Sequence, residues 1–298
     1  MSFPVPTPDA IQAALNLPDD PIHIATGGFK AVYRFDWPNG GPEAIKAVYI
    51  PPGRTDEEML QREQLIARAK REIEALRACP HPAIVKLGHI QPELFTIGTH
   101  DYLIYGEEFL PGESLLAQLD PANAPMTYDD LKLVFETLLV LIDELAQLGF
   151  LHRDIKPDNI IDTGDPHRRY VVLDMGIAYK MEGTQLTQGG APGTIRYMAP
   201  EMLMPDYKDH MDFRCDLYSA GLTVYVLASR QHPYAPRPEH QYATMWRIMN
   251  VQPEKLATLR PDLPPEFCRM IDRCIRKKPA LRYSRIAQVL NELKGIKQ

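Results

Sequence analysis

Cysteine is scarce in this sequence, and its few cysteines are scattered. The 298 residues include Cys79, Cys215, Cys268 and Cys274, no two of which form a C-x-x-C pair. This spacing fits neither a zinc site nor the disulfide framework of a small secreted protein. We therefore expect four ordinary reduced thiols in a cytosolic fold.

The chain also lacks an excess of positive charge, a secretory signal and a long apolar run. Its formal net charge is −6, which argues against non-specific binding to nucleic acid. The first basic residue is Lys30, and prolines interrupt the N-terminal stretch. The most apolar run, residues 217–228, is shorter than the ~20 residues that cross a bilayer. These absences predict a cytoplasmic protein with no membrane partner.

The composition is that of a globular protein able to bury a large core, since 45% of the residues are apolar and 24% are charged. A single core stops growing near this chain length, which favours two lobes. Residues 1–21 form an extension with a short helix that Thr7 can cap. Strand-like runs follow at residues 31–35, 43–50, 84–90 and 102–109. A long helix is expected at residues 56–78.

Beyond residue 110 the sequence becomes mainly helical. Thr127 can cap a helix that Gly149 ends, and further helices are expected at residues 216–230 and after Pro264. We therefore predict an α+β fold. It consists of a small antiparallel β-sheet lobe with one long helix, residues 22–110, and a larger, mainly α-helical lobe, residues 111–298.

Residues 152–159, His-Arg-Asp-Ile-Lys-Pro-Asp-Asn, carry the strongest chemical signal. Phosphoryl transfer needs a carboxylate near the attacking hydroxyl, a cation near the moving phosphate and a ligand for a divalent metal. Asp154, Lys156 and Asn159 supply these three groups, and Asp174 follows as a second carboxylate able to hold Mg²⁺. The alternative is a surface loop that carries these polar residues by chance. It is disfavoured because other segments suited to phosphoryl transfer also occur, in order, along the sequence.

Together these segments resemble the eukaryotic-type (Hanks-type) serine/threonine protein kinases over residues 22–284, and the compact domain favours a bacterial or phage-related soluble member. Besides residues 152–159, they include Asp-Met-Gly at 174–176 and Gly-Thr-Ile-Arg-Tyr-Met-Ala-Pro-Glu at 193–201. The resemblance implies a bilobal protein-kinase-like fold. It also implies that Asp154 is the catalytic base, that Lys156 contacts the γ-phosphate, and that Asn159 and Asp174 bind Mg²⁺ or Mn²⁺.

Ala-Ile-Lys at residues 44–46 resembles the strand lysine of this family, which implies that Lys46 anchors the α- and β-phosphates of ATP. The ion-pair partner of Lys46 should come from the helix that follows, where Glu63, Glu72 and Glu74 compete. Glu72 is favoured by its position just ahead of residues 81–85, His-Pro-Ala-Ile-Val, which resemble the family's helix-to-strand junction.

The glycine loop departs most from the family pattern. Alignment on Val32 places Ala25, Gly27 and Lys30 at the three glycine positions, so only Gly27 matches, with Gly28 beside it. Glycine lets backbone N–H groups approach phosphates closely. We therefore expect weaker or differently shaped binding of ATP.

Residues 108–112 resemble the hinge between the lobes, where backbone groups of Glu108 and Leu110 would meet the adenine edge. Glu107 occupies the gatekeeper position, which is usually apolar. A buried carboxylate there needs a partner or a raised pKa. The apolar slot around the adenine ring would be formed by Ile24, Val32, Ala44 and Ile161.

Three further expectations follow from the resemblance. Glu201 and Arg282 should pair and hold in place the activation segment, whose end is residues 193–201. Asp216 should hold the catalytic loop, residues 152–159. Thr184 or Thr187 is a candidate for phosphorylation, because a phosphate can order a loop against an arginine. An unmodified loop is the alternative.

The sequence thus predicts an enzyme that transfers the γ-phosphoryl group of ATP to Ser or Thr of protein substrates and can autophosphorylate. One alternative is an ATP-binding pseudokinase that acts as a signalling scaffold. Such a protein would lack Lys46, Asp154, Asn159 or Asp174, and all four are present. A small-molecule kinase of related fold would lack the segment 193–201. No residue pattern argues for or against homodimerisation.

Overall fold

The computed structural model of the protein describes residues 3–27, 29–174, 195–204, 211–236 and 240–297, apart from the side chains of Gln61, Arg68 and Glu72. These residues form two compact units. The strand-rich unit contains residues 3–80 and 85–111. The helical unit contains residues 81–84, 112–174 and the described residues from 195 onward.

A five-stranded antiparallel sheet forms the framework of the strand-rich unit, with the strand order β1-β2-β3-β5-β4. The unit also contains helix α1, Pro8–Leu15, and helix α2, Asp56–Ala78. The strands are β1 (Ile22–Gly27), β2 (Lys30–Asp36), β3 (Pro42–Ile50), β4 (Glu93–Ile97) and β5 (His100–Glu108).

Helix α2 has the boundaries that the sequence predicts. Its first turn carries a capping box, in which Thr55 Oγ1 accepts a hydrogen bond from Glu58 N and Glu58 Oε2 accepts one from Thr55 N, each at 3.2 Å. These two bonds satisfy backbone donors that a helix leaves open at its start. The long helix of the predicted small lobe is therefore confirmed.

The two faces of the sheet pack against different parts of the unit, because successive side chains of a strand point to opposite sides. On the helix face, Tyr105 and three other strand residues pack against Leu65, Ala69 and Ile73 of α2. On the outer face, aromatic and aliphatic strand residues pack against Phe3, Ile11 and Leu17 of the N-terminal segment, residues 3–17. The residues of the outer face are Ala31, Tyr33, Phe35, Ile45, Ala47, Tyr102 and Ile104.

Hydrogen bonds and ring contacts hold the N-terminal segment on the outer face. The hydroxyl groups of Tyr33 and Tyr102 donate to the carbonyl oxygens of Pro6 and Pro4, the second at 2.9 Å. The ring of Phe3 lies 6.2 Å from that of Phe29, at the turn between β1 and β2. The N-terminal segment is thus part of the core of the strand-rich unit.

A buried carboxylate also lies on the outer face. Glu43 accepts hydrogen bonds from Trp37 Nε1 at 2.5 Å and from Ile90 N at 2.9 Å. A Cβ atom at Gly106 would lie 1.6 Å from Glu43 Oε1, so only glycine leaves room for this carboxylate. The network satisfies a polar group that would otherwise be costly to bury.

The predicted strand at residues 84–90 is wrong. Its residues form isolated bridges, from Ile84 to Val172 and from Leu87 to Glu107, and residues 86–90 share three backbone hydrogen bonds with Gly106 and Glu108, but they form no strand. Ile84 belongs to the helical unit and Leu87 to the strand-rich unit, so the segment does not run beside one partner strand. The strand that pairs with β5 at the sheet edge is β4, which the sequence reasoning missed.

Helices dominate the helical unit, as predicted, and a three-stranded antiparallel sheet accompanies them. Thr127 caps α3, its Oγ1 accepting from Asp130 N at 3.2 Å. Helix α4 is buried around its whole circumference from Cys215 to Ala228, which places it in the core. The elements are β6 (Glu113–Ser114), α3 (Tyr128–Gln147), β7 (Ile160–Asp162), β8 (Tyr170–Val172), α4 (Arg214–Ser229), α5 (Gln241–Asn250), α6 (Leu256–Leu259), α7 (Pro265–Cys274) and α8 (Ile286–Gly295).

All four cysteines lie in described parts of the chain, and each is a buried free thiol, as expected. None of the helices in these parts has both the length and the apolarity needed to cross a membrane.

The packing of the N-terminal segment predicts a selective loss of stability. Ile11 is fully buried, so Ile11→Ala should lower the free energy of unfolding by about 2–5 kcal/mol through lost burial and a cavity. Val5→Ala is the matched control, since Val5 is 42% exposed in the same segment. Urea denaturation measures both. Equal, small effects of the two substitutions would contradict the packing.

Candidate active site

The predicted catalytic loop, residues 152–159, is held in place by the first turn of α4. The carboxylate of Asp216 accepts hydrogen bonds from His152 N at 2.8 Å and from Arg153 N at 2.7 Å. Arg153 has a φ of 66°, a left-handed conformation that is uncommon for a residue with a side chain. The two bonds offset the cost of that conformation. The expected role of Asp216 in holding the loop is confirmed.

Asp154, Lys156 and Asn159 converge within this loop. Lys156 Nζ lies 3.0 and 2.8 Å from the two carboxylate oxygens of Asp154. Asn159 Nδ2 donates to Asp154 Oδ2 at 2.7 Å and to its backbone oxygen at 2.9 Å. The carboxylate is therefore held in one orientation by an ammonium group and an amide group.

Burial and charge act in opposite directions on Asp154. Burial raises the pKa of its carboxyl group, whereas the Lys156 ammonium and the hydrogen bond from Asn159 lower it. Burial also lowers the pKa of His152 to about 4, so its imidazole is neutral near pH 7. The loop thus presents a carboxylate with increased proton affinity beside a neutral histidine ring.

The oxygen atoms of Asn159 and Asp174 fit a divalent cation chemically. Leu173 N donates to Asn159 O at 2.7 Å, which ties the end of the catalytic loop to the chain leaving β8, just before Asp174. Because Asn159 Nδ2 donates to Asp154, the Oδ1 atom of Asn159 is the one suited to a cation. The negative charge of Asp174 raises the pKa values of both Asp154 and His152. Carboxylate and amide oxygens are the ligands that Mg²⁺ and Mn²⁺ prefer.

In the strand-rich unit, three predicted nucleotide-binding residues share the helix face of the sheet. Val32 lies opposite Lys46 in the register of β2 and β3, and Ala44 lies two residues before Lys46 on the same face. Lys46 Nζ forms an ion pair with Glu107 Oε2 at 2.5 Å. The sequence indicates that a buried carboxylate at position 107 needs a partner. It does not indicate that this partner is Lys46.

The other predicted nucleotide-binding residues occupy the following places. Ile24 and Gly27 lie on β1, an exposed strand, and Gly27 pairs with Lys30 next to the turn. Glu108 ends β5, its N–H donating to Lys86 O at 2.9 Å, and Leu110 follows it. Ile161 lies on β7 in the helical unit. Gly28, the side chain of Glu72, and the candidate phosphorylation sites Thr184 and Thr187 lie outside the described residues.

The predicted pair of Glu201 and Arg282 is confirmed. Two parallel hydrogen bonds join the guanidinium of Arg282 to the carboxylate of Glu201, at 2.5 and 2.8 Å. The Arg282 side chain is fully buried and also donates to the carbonyl oxygens of Arg214, Arg276 and Lys277. This bidentate pair fixes residues 200–203 to the helical core.

The family model for the protein kinase domain matches residues 23–293 of the chain. The chain belongs to the protein kinase family. The resemblance predicted from residues 22–284 is confirmed, and a protein kinase domain implies ATP as a substrate and proteins as acceptors.

Relatives of this kinase occur in bacteria and plants. A probable serine/threonine-protein kinase of Clostridium acetobutylicum is 29% identical over 278 residues, covering 92% of this chain and 39% of that protein. Mitogen-activated protein kinase kinase kinase 3 of Arabidopsis thaliana is 28% identical, with 88% and 38% of the two chains covered. The kinase therefore spans about two fifths of the length of these curated relatives.

The fold of this kinase also matches solved structures. The kinase domain of Mycobacterium tuberculosis PknI superimposes with a TM-score of 0.64 at 22% sequence identity, with 92% of this chain and 93% of that chain covered. The predicted α+β protein-kinase fold is thus confirmed.

The buried histidine of the catalytic loop predicts a dependence of stability on pH. The pKa of His152 is about 4 in the folded kinase, below the value near 6.5 of an unfolded chain. Unfolded chains therefore bind more protons between these pH values, and the His152 contribution to stability is lost as pH falls from about 6.5 to about 4.

The difference in unfolding free energy between the wild type and His152→Phe isolates this contribution. Between pH 7 and pH 4, we expect the wild type to lose up to about 3 kcal/mol of unfolding free energy relative to His152→Phe. Urea denaturation at a series of pH values measures it. Parallel curves for the two proteins would show that the imidazole is not held neutral.

Proposed function

We propose that this chain is a serine/threonine protein kinase that transfers the γ-phosphoryl group of ATP to hydroxyl groups of proteins. The convergence of Lys156 and Asn159 on the Asp154 carboxylate carries the proposal. A hydroxyl group needs an acceptor for its proton at this step, and a carboxylate with a pKa raised by burial is suited to that task. The names of relatives from bacteria and plants support a protein acceptor.

In the proposed reaction, the hydroxyl oxygen of Ser or Thr bonds to the γ-phosphorus, and the bond from that phosphorus to the β,γ-bridging oxygen breaks. The hydroxyl proton passes to the Asp154 carboxylate, and ADP leaves with the bridging oxygen. Lys156, beside Asp154, places a positive charge where the transferring phosphoryl group develops negative charge. Catalysis then consists mainly of positioning and charge neutralisation.

Lys46 would bind the α- and β-phosphates of ATP, with Glu72 as a further predicted partner of this lysine. Asn159 and Asp174 would hold Mg²⁺, or Mn²⁺ in its place. Such a cation neutralises phosphate charge when bound. The residues of the chain themselves orient the acceptor and receive its proton.

The adenine ring would lie in the apolar slot of Ile24, Val32, Ala44 and Ile161. The N–H of Glu108 already donates to Lys86 O, so its carbonyl oxygen is the group proposed to accept from the adenine amino group. The N–H of Leu110 would donate to the ring. The glycine loop matches the family pattern only at Gly27, with Gly28 beside it in the sequence, and this poor match supports weaker binding of ATP than a complete loop gives.

A pseudokinase scaffold is not favoured, because Lys46, Asp154, Asn159 and Asp174 are all present. The Glu201–Arg282 pair, which fixes the end of the segment associated with protein substrates, argues against a small-molecule kinase. We further propose a cytoplasmic location, in keeping with four buried free thiols. Autophosphorylation of Thr184 or Thr187 is proposed from the sequence alone.

Substitution of Asp154 tests the proposed reaction. Asp154→Asn removes the proton acceptor while preserving shape, so phosphoryl transfer should fall by at least about 10²-fold. Asp20→Asn makes the same chemical change at an exposed position and should leave the rate unaltered. The measurement uses labelled ATP, Mg²⁺ and a mixture of protein substrates, followed by phosphosite mapping. Undiminished transfer by Asp154→Asn, or no transfer by the wild type, would refute the proposal.

A further inference from the structure

Lys46 and Glu107 are held together by two neighbouring strands. In the register of β3 and β5, Ala44 lies opposite Glu107 and Lys46 lies opposite Tyr105. Lys46 and Glu107 are therefore diagonal neighbours on the helix face of the sheet, within reach of each other's long side chains. The ammonium nitrogen lies 2.5 Å from Glu107 Oε2 and 5.9 Å from the centre of the Tyr105 ring.

The pair is almost completely removed from solvent. The side chains of Lys46 and Glu107 are 5% and 2% exposed. At such burial an ion without a counter-ion is strongly disfavoured, and a lysine would tend to lose its proton. Glu107 thus places a negative charge directly against the buried Lys46 ammonium group.

The sheet, rather than a helix, sets the geometry of this pair. Both residues lie within the continuous ladder that joins β3 to β5 from Glu43–Glu108 to Ile50–Asp101. The distance between their backbones therefore does not change when α2 shifts relative to the sheet. A carboxylate on α2 would hold the lysine only as long as the helix stays in place.

We propose that Glu107 is a positioning residue for Lys46, acting from the neighbouring strand to keep the ammonium group charged and aimed for phosphate binding. This inference rests on the proposed function, in which Lys46 binds the phosphates of ATP. An ammonium group has three N–H donors, so it can bind Glu107 and phosphate oxygens at the same time. The pair is thereby compatible with bound ATP.

Kinetics of three variants test the inference. Glu107→Gln removes the charge with little change of shape, and we expect its KM for ATP to rise by at least about tenfold, the factor that corresponds to 1.4 kcal/mol. The KM for the protein substrate should stay unchanged. Glu107→Asp keeps a carboxylate and should recover most of the loss. Glu93→Gln, an exposed position on β4 of the same sheet, is the matched control.

A rise in the KM for ATP with no change in the KM for the protein substrate excludes a merely structural effect of Glu107→Gln. Partial unfolding would lower the concentration of active enzyme, and with it the apparent kcat, but would leave both KM values unchanged. If Glu107→Gln binds ATP as well as Glu93→Gln does, the inference is overturned while the proposed function stands. If the wild type transfers no phosphate, both fail.

A stability cycle keeps the inference testable if Glu107→Gln folds poorly. It compares Lys46→Met, Glu107→Leu and the double variant by thermal denaturation. Each single variant removes one charge of the buried pair and leaves the opposite charge in place, whereas the double variant removes both, so the double variant should melt at a higher temperature than either single variant. If the decreases in melting temperature of the two single variants add up in the double variant, the pair does not form and the inference is overturned.

Discussion

The hydrogen bonds that Asp216 accepts from the backbone of His152 and Arg153 are the constraint on which the catalytic loop depends. The carboxylate is 1% exposed, and burial raises its pKa to about 6 although both N–H groups favour the ionised form. Asp216 lies in the first turn of the buried helix α4, so the loop is tied to the core of the helical unit. The left-handed conformation of Arg153 follows from this attachment, and with it the direction of Asp154.

Buried charges recur as organising elements in both units of this kinase. Glu43 has its carboxylate satisfied by Trp37 and Ile90, and Arg282 meets Glu201 in a bidentate pair. Lys46 and Glu107 form a third such arrangement. The two buried ion pairs, Glu201–Arg282 and Lys46–Glu107, add little net stability compared with apolar packing, but breaking one is costly. Removal of a single partner would therefore destabilise the strand or loop that carries the other.

The parts of the fold that were predictable from the sequence are those with local physical signals. Helix α2 begins at a capping box and contains strong helix formers, so its boundaries could be stated in advance. The catalytic loop could be recognised because its chemistry is concentrated in a few adjacent residues. Residues 84–90 were misjudged because an apolar run does not reveal that its two ends pack in different units. Likewise, the pairing of Lys46 with Glu107 depends on the β3–β5 register, which neither residue's local sequence specifies.

Amide hydrogen exchange across residues 150–156 tests the central claim most directly, namely that Asp216 holds the catalytic loop in its reactive geometry. The N–H groups of His152 and Arg153 donate to a buried carboxylate, so we expect them to exchange almost as slowly as the amides in the core of α4. In Asp216→Asn, exchange of this peptide should accelerate while that of α3 changes little. Rapid exchange of the loop in the wild type, or identical exchange in the two proteins, would contradict the account.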